Sequence, residues 1–205
     1  MNFYTGQVAL FLSNRGKTTR LLMTDLKWKV LSYEYIHRGP WATLRVDKCE
    51  MPDGRIIPGY YVLEYPDWAN AVALTEDNKI IMVRQYRHAA GVISLEIPGG
   101  VIEPGEDPEE GMKRELLEET GYQFDHLEPL CELRANPSTG DNITHCYLAR
   151  GGKKVQAQHL DEQEQIIVEE YTIDEVKQLL ADNQITQALH VSTLYYALIR
   201  LGALS

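Results

Sequence analysis

The sequence predicts an α+β fold, a mixed sheet flanked by few helices, on three observations. Runs enriched in Tyr, Val, Ile and Thr, the residues of half-buried strands, fall at 28–36, 42–50, 56–65, 69–75 and 79–86, before any helical periodicity appears. Further strand-like runs at 130–136, 142–149 and 165–171 are interleaved with helical stretches only at 107–120, 173–182 and 186–202. Strands broken by so few helices point to a mixed sandwich and away from a doubly wound parallel sheet. A chain of 205 residues suits one large domain with or without an appendage, and it buries roughly 70% of its unfolded surface without a covalent staple.

Residues 1–22 stand apart, because Asn14, Arg15, Gly16, Lys17, Thr18, Thr19 and Arg20 are polar and no amphipathic period continues past Leu12. Two readings fit: an extension before a natural start at Met23, and an extra edge strand. From Trp28 onward turn chemistry separates the strands. Asp53-Gly54 and Asp77-Asn78 are hairpin breaks, and Gly39-Pro40 and Tyr65-Pro66 stop the strands before them. The first helix carries the fullest signals: Asp107 as N-cap, Pro108 at the first helical position, Glu110 to complete a capping box, and Gly121 to end the helix in a left-handed conformation. In the last helix Leu189, Thr193, Leu194, Ala197, Leu198 and Leu201 recur at helical spacing. The expected division is an extension at 1–22, a small N-terminal β-region at 23–66 and a main domain at 67–205.

Composition narrows the function classes. Hydrophobic residues at 44% and charged residues at 24% exclude a disordered, collagen-like or coiled-coil chain. Thirty acids against twenty bases give a formal charge of −10, which repels a nucleic-acid backbone and attracts metal cations. Cys49, Cys131 and Cys146 are odd in number and widely spaced, without a ligand pattern, so the expected setting is reducing and cytoplasmic. The longest apolar run near the start, Val8 to Leu12, is too short for a membrane span or a signal-peptide core, so no membrane partner is expected.

The chemistry concentrates on the first helix. Glu115, Glu118 and Glu119 lie at i, i+3 and i+4, which stacks three carboxylates on one face near the negative end of the helix. Each like-charge pair costs roughly 0.2–0.5 kcal/mol. The bland reading is a solvated acidic face. Arg114 offsets part of the repulsion by pairing with Glu118, but a hard divalent cation offsets more, since Mg²⁺ is bound through carboxylates plus substrate phosphate oxygens.

The full spacing favours the metal. Gly100, five residues, Glu106, seven residues, then Arg114-Glu115-Leu116, Glu118-Glu119, Gly121 and Tyr122 form a pattern whose chance occurrence is below roughly one in a million at about 7% per specified residue. It resembles the box of the Nudix hydrolases. That resemblance implies an α/β/α sandwich, a loop-helix-loop site, and hydrolysis of a nucleoside diphosphate linked to another moiety. It also implies Glu115 and Glu119 as ligands of Mg²⁺ or Mn²⁺, Glu118 as a shared or supporting ligand, and the backbone carbonyl of Gly99 as a further one. Gly111 stands where the family more often has alanine, a departure that costs roughly 0.5–1 kcal/mol of helix stability.

Two further features are similar to the ADP-ribose pyrophosphatase branch, and the similarity runs from about Trp41 to the C-terminus. One is the stretch from Tyr60-Tyr61 through Arg84-Gln85-Tyr86-Arg87 to Leu95-Glu96-Ile97-Pro98-Gly99-Gly100; the other is Pro137, fifteen residues beyond Tyr122. The branch often has Ser-Pro-Gly there, whereas this chain has Asn136-Pro137-Ser138. A diphosphate joining two sugars needs cations, positive side chains and an aromatic surface for the base. Arg84 and Arg87 are candidates for phosphate or the terminal ribose, with Glu96 and Pro137 on the substrate side. Trp41, Tyr60, Tyr61 or Tyr65 would stack the base; each lone aromatic is otherwise a sheet-core residue. His88, His145 and His190 lack ligand spacing and read as surface or core residues.

A water must also be activated, and the branch usually draws the base from outside the helix. The acidic loop 159–165 resembles that source, with Glu162 favoured over Glu164 because it lies farther from the strand start. The resemblance also implies a homodimer formed through the N-terminal strands. Two rivals are hydrolysis of another nucleotide sugar such as GDP-mannose, and a non-catalytic ADP-ribose-sensing regulator; the latter is opposed by the intact box and the acidic charge.

Overall fold

The computed structural model describes residues 26–39, 42–162 and 164–204. Residues 1–22, with the two readings given for them, and Trp41 lie outside the described residues. An antiparallel three-stranded sheet comes first, β1 (Lys29–Arg38), β2 (Thr43–Glu50) and β3 (Ile56–Glu64), in that spatial order. Eight strands then form one mixed sheet: β4 (Trp68–Thr75), β5 (Ile80–Arg87), β6 (Val92–Glu96), β7 (Gly99–Val101), β8 (Tyr122–Gln123), β9 (Leu127–Leu133), β10 (Thr144–Lys154) and β11 (Ile166–Tyr171). Helix α1 (Pro108–Thr120) covers one face, and α2 (Ile173–Ala181) and α3 (Ala188–Arg200) cover the other. This is the α/β/α sandwich.

Alternation along β4 explains the layers. Ala69, Ala71 and Ala73 face Met112 and Leu116 of α1, and their small side chains let the helix sit close to the sheet. Val72 and Leu74 face Val176 of α2 and Leu194 and Ala197 of α3. Burial of these aliphatics, at roughly 1.5–3 kcal/mol each, holds the layers together.

The sheet is forked, and the fork places the site. β4 shares one edge between two partners, β7 at Trp68–Asn70 and β5 at Ala73–Leu74. β5 likewise pairs with β4 at its start and with β6 over Val83–Arg87. The two strands therefore diverge, and the chain between β6 and β7 brings Gly99 to the split.

Three strands escape the sequence reading. β6 is five residues long, β7 contains Gly99-Gly100, and β8 has two residues, so none shows a period. β9 starts at Leu127 and ends at Leu133, earlier than the expected 130–136, because its run passes through Pro129. Pro is tolerated there since β9 pairs only with β10 and is an edge strand. β10 extends through Gly151-Gly152 to Lys154, beyond the expected Ala149.

The caps of α1 match expectation in part. Asp107 accepts from the backbone N–H of Glu109 and Glu110, and Gly121 has φ 75°. Glu110 turns instead to Lys113, 2.9 Å away, so its carboxylate serves an ion pair on the exposed face. Among the described residues no helix is long and apolar enough to cross a membrane.

Candidate active site

Arg114 organises the acidic face of α1. Its Nε and Nη2 donate to the two oxygens of Glu106 at 3.0 and 3.1 Å, and Nη2 also donates to the Val101 carbonyl at 3.0 Å. Its Nη1 donates to Glu115 at 2.8 Å and to Glu118 at 3.1 Å. One guanidinium thus ties β7, the loop before α1 and two helix carboxylates. The bidentate grip on Glu106 holds that carboxyl below the usual range.

Glu119 is only 4% exposed, and it accepts from the Gly99 N–H at 3.0 Å. Burial first, then the neighbouring Glu115 charge, pushes its carboxyl up to about 8, and Glu164 adds to the effect. Burial also raises Glu115, although Arg114 opposes the shift. A Cβ at Gly100 would overlap the Glu115 carboxylate, so glycine there is a condition of the close approach between β7 and α1.

Two adjacent buried carboxylates that resist ionisation form a site a hard dication would stabilise, because it compensates both charges with oxygen ligands. The donor set of carboxylates plus the Gly99 backbone fits such an ion. Among the described residues no three His, Cys, Asp or Glu groups converge on one point. Glu115 and Glu118 rest on Arg114, and Glu119 on Gly99.

These groups line a cleft of about 430 Å³ at the fork of the sheet. Its walls include Gly99, Glu115 and Glu119 on one side, Gln85 and Arg87 from β5, Trp68 from β4, and Asp161 and Glu164 from the loop before β11. Glu118 stays paired with Arg114 at the rim.

Several expectations are corrected. Arg84 does not line the cleft: its guanidinium is held by Glu169 of β11 at 2.6 and 2.9 Å. Arg84 and Arg87 are three residues apart on a strand, so they face opposite sides, and the anion that satisfies Arg84 is internal. Glu96 is 1% exposed and is gripped by Arg87 Nε at 3.0 Å and Nη2 at 2.6 Å, so it supports the arginine instead of facing the cleft. Glu162, exposed like its neighbours Asp161 and Glu164, does not line this cleft. The turn closes with the Glu164 N–H on the Asp161 carbonyl at 3.0 Å and the Asp161 N–H on Glu164 Oε2 at 3.2 Å, and both residues line the cleft while staying exposed.

The aromatic expectations divide. Tyr61 is 57% exposed. Tyr60 donates to the Ser138 carbonyl at 2.6 Å and, with Pro137, lines a separate cavity of about 330 Å³ between β3 and the loop 134–141. That loop is stitched to β3 by the Leu63 N–H on the Thr139 carbonyl at 2.7 Å. The structure thus does not bring Tyr61 or Pro137 to the carboxylates. Sequence reasoning missed Trp68, Gln85 and Asp161. Gln85 alternates with Arg84 on β5, a signal that strand periodicity offers.

The chain is similar to known proteins over most of its length. Residues 65–190 match the model of the NUDIX domain, and residues 28–63 match that of the nucleoside diphosphate sugar hydrolase N-terminal domain. The chain is 37% identical over 169 residues to a methanol dehydrogenase activator of Bacillus methanolicus, covering 82% of this chain and 91% of the relative. It is 31% identical over 175 residues to an ADP-ribose pyrophosphatase of Bacillus subtilis, covering 85% and 94%. A crystal structure of an ADP compounds hydrolase superposes with a TM-score of 0.75 at 24% identity, over 87% of this chain and 97% of the other, a likeness of fold. Fork, box and carboxylates together place the chain in the Nudix family, as a Nudix pyrophosphohydrolase.

Proposed function

We propose that the chain hydrolyses the diphosphate bond of ADP-ribose or a related nucleoside diphosphate sugar, giving AMP and ribose 5-phosphate. The observation that carries the reading is a single cleft in which Glu115 and Glu119 face Arg87, with Glu164 on the opposing loop. Glu115, Glu119, Glu118 and the Gly99 carbonyl would hold Mg²⁺ or Mn²⁺, which supplies Lewis acidity to the diphosphate oxygens.

The chain's own residues do the rest. Arg87 uses two donors on Glu96 and presents its remaining N–H groups to the diphosphate. Glu164 orients the attacking water and takes its proton as the water oxygen bonds to phosphorus and the bridging P–O bond breaks. It suits that role better than the helix carboxylates, whose basicity a bound cation lowers. Arg114 fixes the angle of Glu115 and Glu118.

The N-terminal β-region supports a homodimer. Val30, Leu31, Tyr33, Ile36, Ile56 and Tyr61 are exposed large side chains on β1 and β3, spread over both faces of the sheet, and they leave apolar surface for a second copy. In that dimer the 23–66 region contributes to the partner's base pocket, and the enzyme works in a reducing cytoplasm. A 30% identical stretch in a GDP-mannose pyrophosphatase of Yersinia enterocolitica favours other nucleotide sugars as the second reading.

A panel of ADP-ribose, ADP-glucose, GDP-mannose, NADH, diadenosine polyphosphates and 8-oxo-dGTP, with release of the nucleoside monophosphate followed, tests the assignment. ADP-ribose is expected to give the highest kcat/KM. A preference for 8-oxo-dGTP, or no turnover of any compound, would refute it.

A further inference from the structure

One interior atom has no partner. Among the described residues, His190 Nδ1 is the buried side-chain nitrogen or oxygen left without a hydrogen bond. His190 lies in the first turn of α3, and its backbone N–H is capped by Gln187 Oε1 at 3.0 Å. Its Nδ1 stands 3.6 Å from Glu96 Oε2, the oxygen that also accepts from Arg87 Nη2 at 2.6 Å. His190, Glu96 and Arg87 therefore form a chain of three side chains from the start of α3 to the carboxylate cleft.

Behind this chain lies a second cavity of about 260 Å³. It is lined by Gln187, His190, Glu96 and Asn70, and it shares Trp68, Arg87 and Gly99 with the cleft. Arg87, Glu96 and His190 all line that space, so the pair is not packed solid on the side away from the cleft.

On the diphosphate-hydrolase reading, on which this inference rests, we propose that His190 is a positioning residue that, through Glu96, sets the direction in which Arg87 presents its guanidinium to the diphosphate. Burial pushes the imidazole down to about 4, so the ring is neutral near pH 7. A neutral N–H at Nδ1, 3.6 Å from Glu96 Oε2 and just beyond hydrogen-bond reach, faces the carboxylate without adding a cation that competes with Arg87 for it. Glu96 stays ionised despite its burial, because the hydrogen bonds and charge of Arg87 hold it below the usual range. The imidazole standing against Glu96 Oε2 limits where that carboxylate can move, and the bidentate Arg87–Glu96 geometry passes the limit to the arginine.

The test uses the full chain with Mg²⁺ and ADP-ribose, and reads kcat and KM separately. Asparagine places an amide nitrogen near the position of Nδ1, whereas glutamine places it near Nε2. His190→Leu and His190→Gln are expected to raise KM about tenfold with kcat within about threefold, and His190→Asn to stay within about threefold of wild type in both. In an Arg87→Ala background His190→Leu is expected to add less than about twofold, because the two residues act in series. Equal KM effects of His190→Leu in both backgrounds, failure of asparagine to rescue, or a loss confined to kcat would overturn the inference while leaving the hydrolase reading intact. An unchanged KM in Arg87→Ala itself would remove the phosphate role of Arg87 and the inference with it. If His190→Leu does not fold, the contrast between asparagine and glutamine decides.

Discussion

Helix α1 and the N-terminal sheet differ in how far one chain completes them. Around α1 the polar groups are closed internally: Arg114 spends its donors on Glu106, Val101, Glu115 and Glu118, and Glu119 is capped by Gly99. On β1 the side chains Val30, Leu31, Tyr33 and Ile36 face outward with no partner layer from the described residues. The contrast teaches that the proposed metal face is closed within one chain, whereas the N-terminal sheet leaves open the surface that the proposed dimer would cover. A site meant to do chemistry is over-determined by ion pairs, and a surface meant to assemble is left apolar.

The largest expected effect breaks the self-contained half. Glu119→Gln should lower kcat by roughly 10³-fold, since the diphosphate loses its Lewis acid. The same substitution should raise the Tm in EDTA at neutral pH, because the buried wild-type carboxyl must take up a proton to fold beside Glu115 and the amide need not. Wild-type turnover in this variant would remove the metal assignment from α1.

Next in size is the base. Glu164→Gln is expected to lower kcat by about 10²–10⁴-fold with little change in KM, and Glu162→Gln by less than about tenfold. The opposite order would show that the loop closes over substrate in the register two residues earlier.

The assembly half is tested by charge. Tyr33→Glu combined with Ile36→Glu should convert a dimer into a monomer by light scattering and raise KM more than it lowers kcat, as both side chains are exposed on β1. A wild-type protein that is monomeric at micromolar concentration and fully active would erase the contrast between the two regions.

A smaller effect concerns pH in the metal-free protein. Glu119 is raised in the folded state above its unfolded value near 4.5, so the folded chain binds more protons between that value and about 8. Stability is then fully present below the unfolded value and is lost as pH rises through about 8, at no more than roughly 1.4 kcal/mol per pH unit. Tm measured in EDTA from pH 5 to pH 8 should fall, and Glu119→Gln should flatten the fall. A Tm that rises over this range would contradict the buried, proton-retaining carboxyl.

The smallest effect is at Gly111. Alanine gains roughly 0.5–1 kcal/mol of helix propensity, but its Cβ would lie 2.8 Å from Glu106 Oε2, which Arg114 pins. A stabilisation below that range is expected from thermal unfolding, with a modest loss of activity as Arg114 shifts.

What was legible in the sequence follows the same divide. The box reads directly because a helix turns spacing into a face: i, i+3 and i+4 carboxylates must lie together, and the caps fix where the helix starts and stops. Arg84 misled because its partner is set by long-range geometry. Arg84 looks like an unsatisfied strand arginine until β11 brings Glu169 beside it from 85 positions away. Whether Glu162 or Glu164 faces the cleft depends on one irregular turn closed by Asp161, which no period encodes. Strands β6 and β7 were invisible because the fork that creates them is a property of how β4 and β5 diverge, and neither segment is long enough to alternate. His190 reads from sequence as a surface or core residue; it is buried, and only the fold shows that Glu96 is its neighbour.

The most direct test of the hydrolase at α1 is the phosphorus NMR spectrum of ADP-ribose incubated with the wild-type chain and Mg²⁺. The diphosphate resonances are expected to give way to two monophosphate signals in equal amount, those of AMP and ribose 5-phosphate, and EDTA is expected to halt the change. A diphosphate that persists in the presence of Mg²⁺, or one that is cleaved as fast in EDTA, would contradict the account.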